Sequence, residues 1–129
     1  MLTYDHVGTL VLNIEEAKNE YFNLTGVEPT ATTRVESQQV QISFVDKVEL
    51  IQPDEDTILH QLIYKGITNY HVAYRTENFD DEVERLINLN YGIVTDPFVS
   101  EVFGNKRCQF FRNNLGHLIE IVEIESSET

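Results

Sequence analysis

The sequence predicts an α+β fold made of two βαβββ copies, with one sheet beside another and the helices outside. Three observations predict it. The second half of the chain repeats the first: Asp5-His6-Val7 aligns with Tyr70-His71-Val72 at an offset of 65, which also sets Asn13 on Asn78, Glu16 on Asp81 and Leu24 on Leu89. Val48-Glu49-Leu50-Ile51 then aligns with Ile119-Glu120-Ile121-Val122 at an offset of 71, and Phe44 meets Phe110 one residue out of the first phase. That slippage matches a longer hairpin loop in the second copy, Asn113-Asn114-Leu115-Gly116. Finally, 129 residues with 41% hydrophobic and 10% aromatic suit one domain with a core of its own. The expected organisation is a single domain over 1–129, with a first module at about 3–53, a short helix at about 54–66 and a second module at about 67–124.

Each element has a local reason. Asp5 to Leu12 is β-branched or aliphatic with polar interruptions and reads as a strand. Asn13 is a good N-cap for a helix that carries Ile14, Ala17, Tyr21, Phe22 and Leu24 on one face, with Glu15 and Glu16 in its first turn. Gly26 closes it. Strands follow at about 32–36, 39–45 and 47–52. Pro53 and Asp54-Glu55-Asp56 then start a short helix with Ile58, Leu59, Leu62 and Ile63, ending near Gly66. The second copy repeats this order, and Glu125 to Thr129 reads as a frayed tail.

Charge narrows the function. With 22 Asp and Glu against 9 Lys and Arg, the net charge of -13 excludes nucleic acid as a partner, since such binding rests on cations neutralising phosphates. It also disfavours an anionic membrane surface. Cys108 is the single cysteine, so no disulfide forms within the chain and a reducing compartment fits. No apolar run reaches a membrane-spanning length, and Met1-Leu2-Thr3-Tyr4-Asp5 does not read as a signal peptide, so the expected location is the cytoplasm. There is no P-loop and no dinucleotide glycine fingerprint. The expected partner is a small molecule.

The repeat superimposes a histidine of the first strand and a glutamate of the last strand on themselves: His6 on His71, and Glu49 on Glu120. Two imidazoles and two carboxylates suit a divalent ion such as Zn, Ni, Co, Mn or Fe. Glu120 has Leu118 and Val122 at i−2 and i+2, so its own face is apolar, and a carboxylate there is costly unless it meets a cation. Glu49 has Lys47 and Ile51 in those places. His60, His117 and the acids Asp80-Asp81-Glu82 and Glu84 read as surface residues, and Cys108 as core. Phe98, Phe103, Phe110 and Phe111 read as core or as the lining of an apolar pocket.

On these residues the chain resembles the vicinal oxygen chelate superfamily, which includes glyoxalase I, methylmalonyl-CoA epimerase, extradiol dioxygenases and antibiotic-resistance proteins. The marks are Asp5-His6-Val7-Gly8 with Ile14-Glu15-Glu16-Ala17, Val48-Glu49-Leu50-Ile51-Gln52-Pro53, Tyr70-His71-Val72-Ala73-Tyr74 and Gly116-His117-Leu118-Ile119-Glu120-Ile121-Val122. The resemblance implies paired βαβββ modules forming a U-shaped mixed-sheet cavity, often in a homodimer. It also implies one divalent metal held by His6, Glu49, His71 and Glu120. Within the superfamily the chain is most similar to methylmalonyl-CoA epimerase. That implies proton transfer by Glu49 and Glu120 at a carbon next to a carbonyl held by the metal. A lactoylglutathione lyase of the glyoxalase I type and a non-catalytic antibiotic-binding protein are the alternatives.

Overall fold

Alternation along β1 (Thr3–Leu10) and β4 (Val48–Pro53) decides what each face carries, and the same is true of β5 (Asn69–Thr76) and β9 (Leu118–Glu123). The computed structural model describes residues 1–125. Of the expected tail, Ser126 to Thr129 lie outside the described residues. The chain divides into two compact units: a first unit, His6–Tyr70, and a second unit, Met1–Asp5 with His71–Thr129. Both contribute to a mixed β-sheet class with three α-helices, as the sequence predicts. No helix among the described residues is long and apolar enough to cross a membrane.

In the first unit the strand order is β2-β3-β4-β1, where β2 is Thr33–Val35 and β3 is Val40–Val45. The β1/β4 pair is parallel and the others antiparallel. The helix α1 (Ile14–Thr25) begins as expected, with Asn13 Oδ1 accepting from the Glu16 N–H at 3.0 Å. It ends at Gly26, whose φ of +72° is the left-handed conformation that glycine adopts without a Cβ clash. Ile14, Ala17 and Tyr21 pack on Val45, Val48 and Leu50. Phe22 and Leu24 do not join them, being 40% and 75% exposed. At 3.6 residues per turn Phe22 falls well to the side of the Ile14–Ala17–Tyr21 stripe, while Leu24 lies at its edge in the last turn of the helix. The short helix α2 (Ile58–Tyr64) starts later than Asp54, because Thr57 caps it by accepting from the His60 N–H at 3.2 Å.

The second unit orders its strands β5-β9-β8-β6, with β8 spanning Lys106–Arg112 and β6 Gly92–Ile93. Here β5/β9 is the parallel pair. The second strand of the repeat is split, because both β6 and β7 (Phe98–Ser100) pair with β8. The helix α3 (Phe79–Asn88) packs Phe79 and Leu86 on Phe111 and Ile121. Asn78 holds the N-cap position but makes no side-chain cap bond; its own N–H donates to Thr76 Oγ1 at 2.9 Å. The expected hairpin loop is present, with Asn113 Oδ1 accepting from the N–H groups of Leu115 and His117. The first residues of β1 belong here too: Leu2 packs against the α3 core cluster, and Arg75 Nη1 donates to the Tyr4 carbonyl at 3.1 Å.

Candidate metal centre

The His–Glu pair of each unit is set by ladder register. Gly8 lies beside Glu49 in β1/β4, and Ala73 beside Glu120 in β5/β9. His6 is two residues before Gly8 and His71 two before Ala73, so each histidine shares a face with its glutamate. Val48 and Leu50 take the opposite face under α1, while Ile119 and Ile121 do so under α3. Across the antiparallel ladder, Phe44 stands opposite Glu49 and Phe110 opposite Glu120. The one-residue phase difference between these phenylalanines is thus absorbed in the loops, and both land in the same ladder position.

The resulting geometry is nearly the same twice. In the first unit His6 Nε2 is 3.4 Å from Glu49 Oε1, and the His6 ring meets the Phe44 ring edge-on, with centroids 5.4 Å apart at 87°. In the second unit His71 Nε2 is 3.2 Å from Glu120 Oε1, and its ring meets Phe110 at 5.3 Å and 90°. All four polar residues are buried, His6 at 1% and both glutamates at 4% exposure. Two buried carboxylates of that kind are costly without a cation.

The donor set fits a divalent ion in kind and in spacing. Imidazole nitrogen and carboxylate oxygen are its ordinary ligands. Two such ligands, each about 2.1 Å from one ion, stand roughly 3.0–3.4 Å apart at octahedral to tetrahedral angles. The separations within the two pairs are of that size.

Other candidates resolve plainly. His60 is half-buried on α2 with its ring against Tyr64, and His117 is exposed at the end of the hairpin loop. Cys108 is fully buried in a cluster with Ala73 and Val122. Of the four phenylalanines, Phe111 belongs to the α3 core, whereas Phe98 and Phe103 pack against the Cys108 cluster and Phe98 stacks on Phe110 at 5.9 Å. Strand alternation separates Phe110 from Phe111, and the sequence carried that signal. The acid run at the start of α3 is not all solvated. Glu82 is 6% exposed, with the Met1 ammonium at 3.0 Å and Arg85 Nε at 2.7 Å. Burial pushes its pKa up, but these two cations outweigh burial and hold it below the ordinary 4.5.

The fold recurs in known proteins. Solved structures similar to it include a hypothetical protein from Bacillus halodurans C-125 (TM-score 0.85, 20% identity, 99% of this chain and 98% of that one). Methylmalonyl-CoA epimerase from Mycobacterium tuberculosis matches with a TM-score of 0.81 at 22% identity over 95% of this chain and 88% of its own. A variant of the Streptomyces coelicolor methylmalonyl-CoA epimerase in complex with 2-nitronate-propionyl-CoA gives 0.83 and 21%, covering 100% and 99%. At these identities the likeness is one of fold. In sequence, the uncharacterized protein YqjC of Bacillus subtilis (strain 168) is 28% identical over 127 residues, covering 92% of this chain and 90% of that protein. A family model matches residues 5–121, and by that match the chain belongs to the Glyoxalase/Bleomycin resistance protein/Dioxygenase superfamily.

Proposed function

We propose that this chain is a divalent-metal-dependent enzyme that transfers a proton at a carbon next to a carbonyl, in the manner of an epimerase or isomerase. The observation that carries the reading is the twofold His–Glu pair, buried and of nearly equal separation in both units. His6, Glu49, His71 and Glu120 would hold one ion, as parts of a single domain. His6, Glu49 and His71 are all buried, and each offers one ligand atom of a suitable type. A bound dication supplies Lewis acidity that makes the adjacent C–H more acidic.

The rest is work for the protein's own groups. A carboxylate within hydrogen-bond reach of the acidified proton removes it, and a second carboxylate on the other side of the carbon returns one. We assign Glu49 and Glu120 to that pair of roles. The burial of each, at 4% exposure, keeps water from competing as the base and strengthens the local electrostatics. The fold likeness to methylmalonyl-CoA epimerases supports the reaction type.

The test is solvent deuterium uptake into 2-oxo compounds and acyl thioesters by the metal-loaded protein. Uptake is expected for at least one compound, and Glu120→Gln, which keeps a ligating oxygen, should abolish it while metal stays bound. Equal uptake by the variant would contradict the proposal, as would no uptake by the loaded wild-type protein with any compound.

A further inference from the structure

Resting on that reading, we infer that the substrate is a small carbonyl compound carrying an aromatic group, not a coenzyme A thioester. Two independent observations lead there. The first is an aromatic wall beside the second His–Glu pair. Phe110 is edge-on to His71, and Phe98 lies nearly parallel to Phe110, with 13° between the ring planes. Phe98, Phe103 and Phe110 are each half-buried, close to a polar pair that is itself buried. A planar ring extends such a stack, and an aromatic pair of this kind adds affinity beyond area burial.

The second observation is how the cations are used. At least seven of the nine Lys and Arg side chains already meet the protein's own oxygens. Arg34 bonds Asp54, Arg75 contacts Asp5 and the Tyr4 carbonyl, Arg107 bonds Asp80 and Glu123, and Arg112 donates to the Gly116 carbonyl. The phosphates of coenzyme A would have to compete with those carboxylates in the field of a chain of net charge -13. A small aromatic keto acid carries a single negative charge, against the several of coenzyme A, and so asks far less of these cations.

The experiment titrates phenylpyruvate, pyruvate and propionyl-CoA into the full chain by calorimetry, with and without a saturating divalent metal. Phenylpyruvate is expected to bind about tenfold more tightly than pyruvate, and propionyl-CoA no more tightly than pyruvate. Phe98→Leu, which keeps an apolar side chain but removes the stack, should weaken phenylpyruvate about threefold or more and leave metal stoichiometry as it was. Equal affinities for the two keto acids, an unaffected Phe98→Leu protein, tighter binding of propionyl-CoA or no keto acid binding would each overturn the inference. The metal-free arm separates the two proposals. Aromatic preference without any metal binding would sink the metal reading and leave this one standing.

Discussion

The two units share their strand order and a His–Glu–Phe cluster of nearly one geometry, and differ in caps, loops and buried charge. His6, Glu49 and Phe44 reproduce His71, Glu120 and Phe110 to within 0.2 Å in the His–Glu distance and 0.1 Å between ring centroids. Around them, α1 begins on an Asn side-chain cap whereas α3 has none, and one three-residue strand answers to the split β6 and β7. The first unit buries its charge only in the candidate site, while the second also buries Glu82. Loops and caps are free to drift because each contributes about a kilocalorie. Ladder register is not, because a one-residue slip would move every side chain of a strand to the other face.

Four predictions test how far that equivalence reaches. The largest effect falls on metal affinity. Structural sites with four ligands bind zinc with roughly 10–16 kcal/mol, or about 2.5–4 kcal/mol per ligand. His6→Ala and His71→Ala should therefore each weaken binding roughly a few hundred-fold in a competition titration, and a large loss in only one of them would break the symmetry.

Next comes the core beneath each pair. Leu50 and Ile121 are fully buried under α1 and α3, respectively. Leu50→Ala and Ile121→Ala should each cost about 3 kcal/mol in urea unfolding. A cost below about 1 kcal/mol at either would mean that its helix does not seal the sheet.

Acid should act through carboxylates held by cations, exposed Asp54 beside Arg34 in the first unit and the more buried Glu123 and Glu82 in the second. Arg107 holds Glu123 below its ordinary 4.5, as Arg85 and the Met1 ammonium do for Glu82. A folded-state pKa below the unfolded one gives stability that is full above about pH 4.5 and is lost as pH falls through the lowered folded values. Glu123→Gln and Glu82→Gln should flatten that acid limb in a melting-temperature profile, and an unchanged slope would contradict the assignment.

The smallest effect contrasts the caps. Asn13→Ala should cost about 1 kcal/mol, and Asn78→Ala less than about 0.5 kcal/mol. Equal costs would show that Asn78 caps α3 in solution.

The sequence made the repeat legible because strands carry a period of two, and His and Glu in a β-ladder survive only in register. The same pattern located α1 between Asn13 and Gly26. It did not show that Phe22 and Leu24 leave the buried stripe, because helical spacing alone tolerates a broad apolar arc. Nor did it show Glu82 buried. One of its two partners is the chain's own amino terminus, remote in sequence, and a run of acids at a helix start ordinarily faces water. Phe44 and Phe110 were visible as a repeated pair, but their contact with the histidines follows from cross-strand pairing, which no single strand encodes.

The central claim is that two similar half-sites serve one ion. Native mass spectrometry of the full chain titrated with zinc or nickel tests it most directly. One ion per chain is predicted, lost equally in Glu49→Ala and Glu120→Ala. Two ions per chain, with one retained in each variant, or no bound ion at all, would contradict it.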